Sequence, residues 1–178
     1  MISVVIATYN RAPLLAECLQ CLSRQHFLPG DEVIVVDNGS TDDTPRVIAE
    51  AEALFAVPLR HLIERTPGKS NAIAAALDVA TGEVIAFTDD DVDVEADWID
   101  GVRGVMSDPG IALAGGPVTP RWEKTPPRWL RAAVDTYGRL AAPLGLLNYG
   151  TESFPLGPRT VLGANLIVRA EVLRKLGG

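Results

Sequence analysis

Apolar residues along this chain fall into two alternating patterns. Ile2 to Ala7 (ISVVIA) is a continuous apolar run that ends in the polar turn Thr8-Tyr9-Asn10. From Arg11 to Gln25 the apolar positions Leu14, Leu15, Cys18, Leu19 and Leu22 recur at intervals of three and four, the spacing of one helical face. The same pair of signals returns after Pro29-Gly30. Glu32 to Val36 (EVIVV) reads as a strand that stops at Asp37-Asn38-Gly39-Ser40, and Ser40, Thr41 and Asp42 are good N-caps for a helix running to about Leu54. Leu59 to Ile63 reads as a third strand, interrupted by Arg60 and His61. The loop Thr66 to Ser70 leads to an alanine-rich helix, Asn71 to Ala80, that Thr81-Gly82 terminates. A fourth apolar run, Val84 to Phe87, follows, and another helix begins near Ala96.

This alternation predicts an α/β domain with a mostly parallel central sheet and helices on both faces. Beyond Ser107-Asp108-Pro109-Gly110 the pattern changes. Ile111 to Ala114 reads as a strand, but residues 117 to 160 are rich in proline, contain Trp122 and Trp129, and are expected to form no regular element. Trp129-Leu130 would anchor an ordered loop over the sheet's ligand edge, or would simply pin a loop to the core. Val161 to Val168 returns to strand character and Glu171 to Leu176 begins a helix. With 178 residues and 47% hydrophobic content, the chain is long enough for one well-buried core and short for two, so residues 1–178 are read as a single domain.

The fourth strand is where charge changes the picture, because it ends abruptly in Asp89, Asp90 and Asp91. Carboxyl ends of strands are the ligand edge of an open α/β sheet. Two carboxylates about 5 Å apart repel by roughly 3 kcal/mol at an effective dielectric of ~20, so the run asks for a cation, and a hard Mg²⁺ or Mn²⁺ ion suits oxygen ligands. The alternative is a solvated loop that caps the next helix. Carboxylates placed where a buried strand surfaces are an expensive way to make one. Three loops, Thr8 to Asn10, Asp37 to Ser40 and Asp89 to Asp91, fall at this edge and outline a pocket. Asp37 could accept a hydrogen bond from a base or ribose, or cap its own turn through Gly39 and Ser40. Lys69 could meet a ligand phosphate at the start of the following helix, or remain solvated.

Other readings are excluded. Sixteen basic against 23 acidic residues, net charge −7, argue against a nucleic-acid partner. No apolar run reaches about eighteen residues and no basic leader precedes Ile2, so neither a transmembrane segment nor a signal peptide is expected. The expected location is the cytoplasm, or the periphery of the membrane's inner face. Cys18 and Cys21 form a C-x-x-C inside a helical pattern, which fits two small buried hydrophobes in a reducing compartment, and no second pair completes a zinc site. Gly68-Lys69-Ser70 imitates the end of a phosphate-binding P-loop, but Ile63 stands where the motif needs its first glycine. The stretch Ala7 to Arg11 lacks the glycines of a dinucleotide fingerprint. His26 and His61 have no partners at ligand or triad spacing and are read as structural, and no G-x-S-x-G surrounds a serine.

The blocks VVIATYNR, VIVVDNGSTDDT, GKSNAIAAAL, EVIAFTDDD and GANLIVRAEVLRKLGG, in this order, make nearly the whole chain similar to the family 2 glycosyltransferases. The resemblance implies a GT-A type, Rossmann-like fold and transfer of a sugar from a nucleotide-sugar donor to a sugar, lipid-linked or other hydroxyl acceptor, with inversion. Thr8 and Tyr9 match the loop that lines the donor's base, with Asn10 beside them, and Asp37 matches the acid that binds the base. Asp89 matches the acid that reaches the ribose, and Asp91 the ligand of the Mg²⁺ or Mn²⁺ ion bridging the diphosphate. Gly39, Lys69, Asn71 and Asp90 lie in the same blocks and are assigned to donor binding. Asn165 falls where related enzymes line the donor sugar and acceptor.

Inverting relatives carry a catalytic Asp or Glu shortly after a Gly-Gly-Phe that follows the last helix, and this sequence reads to Gly177-Gly178. The base is therefore expected beyond Gly178, with the domain a donor-binding portion truncated at its acceptor end. Neither Asp135 nor Glu152 sits in a matching context. Two alternatives remain: a non-catalytic nucleotide-sugar binding module, and a nucleotidyltransferase. The latter would need a Gly-rich basic loop after the first strand, which ATYNRAP lacks.

Overall fold

The structure, a computed structural model, describes residues 1–122, 124–136, 145–150 and 152–177, with only the backbone at 135 and 136. Its first four strands are β1 (Ile2–Thr8), β2 (Glu32–Asp37), β3 (Leu59–Ile63) and β4 (Val84–Phe87). All of them run parallel, because each is joined to the next by a helix that must cross over the sheet. These helices are α1 (Ala12–Leu22), α2 (Thr44–Ala51) and α3 (Lys69–Val79); α4 (Trp98–Met106) follows the fourth strand. A fifth strand, β5 (Leu113–Gly115), a helix α5 (Arg128–Thr136), a sixth strand β6 (Leu166–Arg169) and α6 (Ala170–Leu176) complete the order. The sheet reads β3-β2-β1-β4-β6-β5 across its width, and β6 is antiparallel to both its neighbours.

The predicted α/β class with helices on both faces is what the structure has. On one side Leu15, Cys18, Leu19 and Leu22 of α1, Ile48 of α2 and Ile99 and Val102 of α4 pack against Val4, Ile6, Val33 and Val35. On the other, Ala72 and Ala76 of α3 and Ala170 of α6 cover Val5, Ile34, Val36 and Ile85. The alternation of strand side chains assigns them to these two layers, and burial on both faces explains the apolar runs of β1, β2 and β4, whereas β3 at the sheet's edge is half-exposed and carries Arg60 and His61. Alanines on α3 let that helix lie close to the sheet.

Several expectations need correction. The helix after Ser40-Thr41-Asp42 starts at Thr44 with Asp43 in the capping position and no side-chain cap. Asp42 instead accepts the N–H of Thr44 and that of Ala12, each at 3.0 Å, and so ties two loops together. Residues 117 to 160 contain a regular element, α5. Pro127 initiates it rather than forbidding it, since its carbonyl accepts from the N–H of Leu130 at 3.0 Å and of Arg131 at 3.1 Å. Trp129 is no anchor, being 71% exposed. The strand expected over Val161 to Val168 is only Leu166–Arg169, preceded by a single 3₁₀ turn at Gly163–Asn165. Cys21 is half-buried rather than buried, and its Sγ lies 3.7 Å from Asp93 Oδ1. Asp135 has no described side chain, and residues 137–144 lie outside the described residues.

The amino edge of the sheet is closed by a buried ionic cluster. Glu32 Oε1 accepts from the Ser3 hydroxyl, the Thr81 N–H and the Thr81 hydroxyl, each at 2.7 Å, while Oε2 accepts from Arg60 at 3.0 Å. Gly82 completes it by close approach: a Cβ there would stand 2.5 Å from the Ser3 nitrogen. Burial alone would raise the Glu32 carboxyl, but the hydrogen bonds from Thr81, Ser3 and Arg60 outweigh it and hold the group down to about 2. Its folded value lies below its ordinary 4.5, so its contribution is complete above pH 4.5 and is lost as pH falls toward about 2. Glu32→Gln is therefore expected to be less stable at pH 7 by about 1–3 kcal/mol. Denaturant titrations across this range should show a smaller acid-induced loss in the variant than in the parent chain.

Candidate functional site

Strand register gathers the candidate residues at the opposite edge. Thr8 stands beside Asp37 across the β1–β2 ladder, and Phe87 beside Val5 across β1–β4, so the acids after β4 emerge level with the end of β1. Asp90 turns inward and is buried. Its Oδ2 accepts from the Thr8 hydroxyl at 2.8 Å and its Oδ1 from Arg11 Nη1 at 3.2 Å. The same Nη1 donates to Asp91 Oδ2 at 2.8 Å. Across the cleft the Lys69 ammonium, on the first residue of α3, pairs with Asp89. From beneath, the Cys18 thiol donates to the Asp89 carbonyl at 3.4 Å.

These contacts set the electrostatics. Burial raises the Asp90 carboxyl above the usual carboxylate range, against the opposing pull of the Thr8 hydroxyl and Arg11. The Arg11 guanidinium is raised in turn, chiefly by the charge of Asp90 and then by its bond to Asp91. The Cys18 thiol is pushed up to about 12 by burial and by Asp90, which makes it a packing group and weak donor rather than a nucleophile.

The resulting cleft, of about 400 Å³, is within the size range of small-molecule sites. It brings together Thr8, Tyr9, Lys69, Asp89, Asp90 and Asp91 from the sequence reading. It adds Arg11 and Asn38, which no motif singled out, with Ala7 and Ala72 as its apolar floor. Asn38 could have been noticed as the polar residue next to a strand-ending acid. Its amide donates to the carbonyls of Glu64 and Thr66 and accepts the Gly68 N–H, fastening the loop before α3 to the end of β2.

The remaining candidates shape the edge without lining the cleft. Asn10 holds a left-handed backbone, φ 52°, and its Oδ1 accepts the Thr41 N–H at 2.7 Å. Asp37 is buried, and its Oδ1 accepts the Ser40 N–H at 2.7 Å, while Oδ2 lies 4.0 Å from His61 Nε2. Gly39 supplies the positive φ, 82°, of the turn so held. Asn71 Nδ2 donates to the Pro67 carbonyl at 2.9 Å. Asn165 accepts from the Trp98 indole at 3.0 Å and donates to the Pro117 carbonyl at 3.2 Å, joining α4 to the chain after β5.

Among the described residues no three His, Cys, Asp or Glu side chains converge as a preformed metal cage. A divalent ion that takes one or two carboxylates and fills its remaining positions with water and a ligand's phosphates needs no such cage. Asp91, with its side chain 44% exposed, and Asp89 offer hard oxygen donors of that kind at the cleft surface.

With the geometry in place, the comparisons with known proteins are consistent. A profile of the family described as Glycosyl transferase family 2 matches residues 3–176. The chain is 35% identical over 136 residues to the succinoglycan biosynthesis protein ExoM of Rhizobium meliloti, covering 74% of this chain and 43% of that protein. It is 31% identical over 180 residues to the glucosyl-dolichyl phosphate glucuronosyltransferase of Haloferax volcanii, covering 99% and 55% respectively. Among solved structures, the mannosyltransferase PcManGT from Pyrobaculum calidifontis, in complex with GDP-Man and Mn²⁺, superposes with a TM-score of 0.67 at 28% identity, over 99% of this chain and 46% of that one. S. aureus TarS in complex with UDP-GlcNAc gives 0.71 at 21% identity, over 98% and 47%, a likeness of fold alone. The chain spans between 39% and 55% of the length of the first curated relatives it matches.

The buried contact of Asp37 makes a stability test informative. Asp37→Ala leaves the Ser40 N–H without its partner and is expected to cost about 1–3 kcal/mol. A lowered urea midpoint with an unchanged slope would report that loss.

Proposed function

The chain belongs to glycosyl transferase family 2, and we propose that its acidic cleft binds a nucleotide-sugar donor with the help of a Mg²⁺ or Mn²⁺ ion and presents the sugar to an acceptor hydroxyl, with inversion. The observation that carries this reading is the convergence of Asp89, Asp90 and Asp91 with Arg11 and Lys69 in one cleft at the carboxyl ends of β1, β2 and β4. An edge with both acids and cations can hold a diphosphate and its metal together. An acidic loop alone would repel the phosphates.

On this reading Asp91, with Asp89 beside it, would hold the ion, which when bound would offset charge developing on the departing diphosphate. Asp90 positions the acidic loop through Thr8. Lys69, at the N-terminus of α3, adds a positive charge where that helix already favours an anion. Tyr9 is exposed at the cleft wall, and its ring offers a flat face to a nucleobase. Asn10, Asp37, Gly39 and Asn71 contribute by fixing the loops around the donor, and Asn165 by fixing the sugar-side segment. The GDP-Man and Mn²⁺ bound by the Pyrobaculum mannosyltransferase support this chemistry.

The acceptor class is a sugar, a lipid-linked or another hydroxyl, and the Haloferax relative named for glucosyl-dolichyl phosphate supports the lipid-linked kind. Among the described residues no helix is long and apolar enough to cross a membrane. We place the protein in the cytoplasm or at the periphery of the membrane's inner face. Each carboxylate of the cleft is already engaged by Arg11, Thr8 or Lys69. The acceptor-activating base is therefore proposed to lie outside the described cleft, and residues 1–178 to act as the donor-binding domain.

Two outcomes are expected. Calorimetry should show UDP or GDP binding at least about tenfold more tightly with Mn²⁺ than in chelator, with Asp91→Ala removing most of that difference. Absence of any nucleoside diphosphate binding in Mn²⁺ would sink the donor reading. With the base placed outside the cleft, substituting a cleft carboxylate is expected to weaken donor binding rather than to remove general-base assistance, which is worth about 10²–10⁴ in rate. A cleft variant that keeps donor affinity but loses a factor of about 10²–10⁴ in transfer would overturn the placement of the base, whereas tight donor binding with no transfer to any acceptor would favour a binding module.

A further inference from the structure

Building on the donor-site reading of this cleft, we propose that Arg11 is a diphosphate ligand held in reserve by the acidic loop. In the free protein it occupies Asp90 and Asp91. When a divalent ion takes Asp91, the guanidinium is released from that carboxylate and pairs with the donor's diphosphate.

The geometry carries this in three steps. First, one nitrogen makes both contacts: Nη1 lies 3.2 Å from Asp90 Oδ1 and 2.8 Å from Asp91 Oδ2. Among the described residues Nε and Nη2 make no hydrogen bond, so much of a fork suited to two phosphate oxygens is unused. Second, the base of the side chain is fixed while its tip is not. Asn10 donates its N–H to Ser40 Oγ at 2.9 Å, Ala12 donates its N–H to Asp42 Oδ2 at 3.0 Å, and the Arg11 carbonyl accepts the Leu15 N–H at 3.0 Å. The Arg11 side chain is 49% exposed and lines the cleft. A long side chain anchored on both sides of its Cα can exchange partners without moving the loop.

Third, the charges do not balance. Three carboxylates face two cations in the cleft, Arg11 and Lys69, leaving one negative charge over. A divalent ion on Asp91 reverses that sign locally and repels a guanidinium bound to the same carboxylate. The diphosphate that arrives with the metal offers the displaced cation a partner in the same cleft. Asp90 stays with the Thr8 hydroxyl and keeps the loop in place. Arg11 thus competes with the metal when no nucleotide is present and cooperates with it when one is.

These opposite signs distinguish a ligand in reserve from a structural strut. Arg11→Ala is expected to bind Mn²⁺ alone about two- to fivefold more tightly than the parent chain, followed by electron paramagnetic resonance of the free ion, because the competing ion pair is gone. The same variant should bind UDP or GDP in saturating Mn²⁺ about tenfold or more weakly by calorimetry, because a charge-assisted contact is lost. Arg11→Lys keeps the charge without the fork, and should leave Mn²⁺ affinity near the parent value while weakening the nucleotide by an intermediate factor. It carries the test if the alanine variant fails to fold. The inference is overturned if Arg11→Ala binds Mn²⁺ equally or more weakly, if nucleotide affinity is unchanged in both variants, or if both affinities fall together. Failure of the parent chain to bind either nucleotide would count against the donor site itself, and the Mn²⁺ measurement would still decide whether Arg11 competes for Asp91.

Discussion

Three consecutive carboxylates at the end of a buried strand are the constraint to which this edge of the molecule answers. Adjacent carboxylates about 5 Å apart cost roughly 3 kcal/mol at an effective dielectric of ~20, comparable to a sizeable part of a domain's net stability. The chain meets that cost with particular groups. Asp90, the buried member, is given a hydroxyl from β1 and a share of Arg11 Nη1, and burial still raises its carboxyl. Asp89 is given an ammonium at the start of α3, and Asp91 the same Arg11 nitrogen that reaches Asp90. These partners come from the end of β1, the turn into α1 and the first residue of α3, so the acidic run also locks the ends of β1, β4 and the start of α3 into one arrangement.

The two edges of the sheet use the same residue types for different ends. At the amino edge Glu32 accepts from two hydroxyls, one backbone N–H and Arg60, which leaves it fully engaged and buried. Asp31 is likewise filled by the N–H groups of Ile2 and Leu28 and by Arg103. At the carboxyl edge the first turns of α1 and α3 approach the acids, and two of the three carboxylates keep oxygens at a solvent-facing cleft. Closed clusters of the first kind resist exchange of partners. Half-exposed pairs of the second kind gain little over solvation and can be traded for a ligand at small cost.

How much of this was legible follows from which interactions are local. The parallel half of the sheet could be read from apolar runs and helical spacing, because each βα unit is contiguous and both faces of β1, β2 and β4 are buried, while the half-exposed β3 gave the weakest signal. The acids after β4 were legible because their position contradicts their environment. Arg11 was not, since nothing in Asn-Arg-Ala-Pro reveals a contact with residues 79 and 80 positions away. Asn10, Asp37 and Asn71 were assigned to donor binding, with turn capping the alternative for Asp37, and the loop contacts their side chains make are not visible in the spacing. A strand-ending Asp that binds a ligand and one that caps its own turn have the same sequence. The region after β5 was misread for a related reason: proline was taken as a helix breaker where Pro127 starts α5, and a tryptophan was taken as an anchor where it faces solvent.

The two halves of the chain are held together differently. The cleft edge is assembled from three short βα loops bound to one another by Asn10, Asn38 and Asp42, so little ordering cost remains when a ligand arrives. The segment after β5 attaches differently. Arg121 reaches across to Glu17 at 2.8 Å and Asp93 at 2.6 Å, Asn165 links Trp98 to Pro117, and Val118 bridges Leu147. At Gly116 a Cβ would collide with the Asn165 amide, so even the close approach of this segment depends on a missing side chain. Partly exposed ion pairs are among these contacts, on a stretch that β6 returns to the sheet in the antiparallel sense. If the cleft holds the donor, as proposed, its loops are bound to one another independently of the segment after β5, so sequence change in that segment leaves the acids and cations of the cleft undisturbed. On the proposed reading, that separation allows one sheet to serve donors of similar chemistry while the second half of the chain varies with the hydroxyl it must meet.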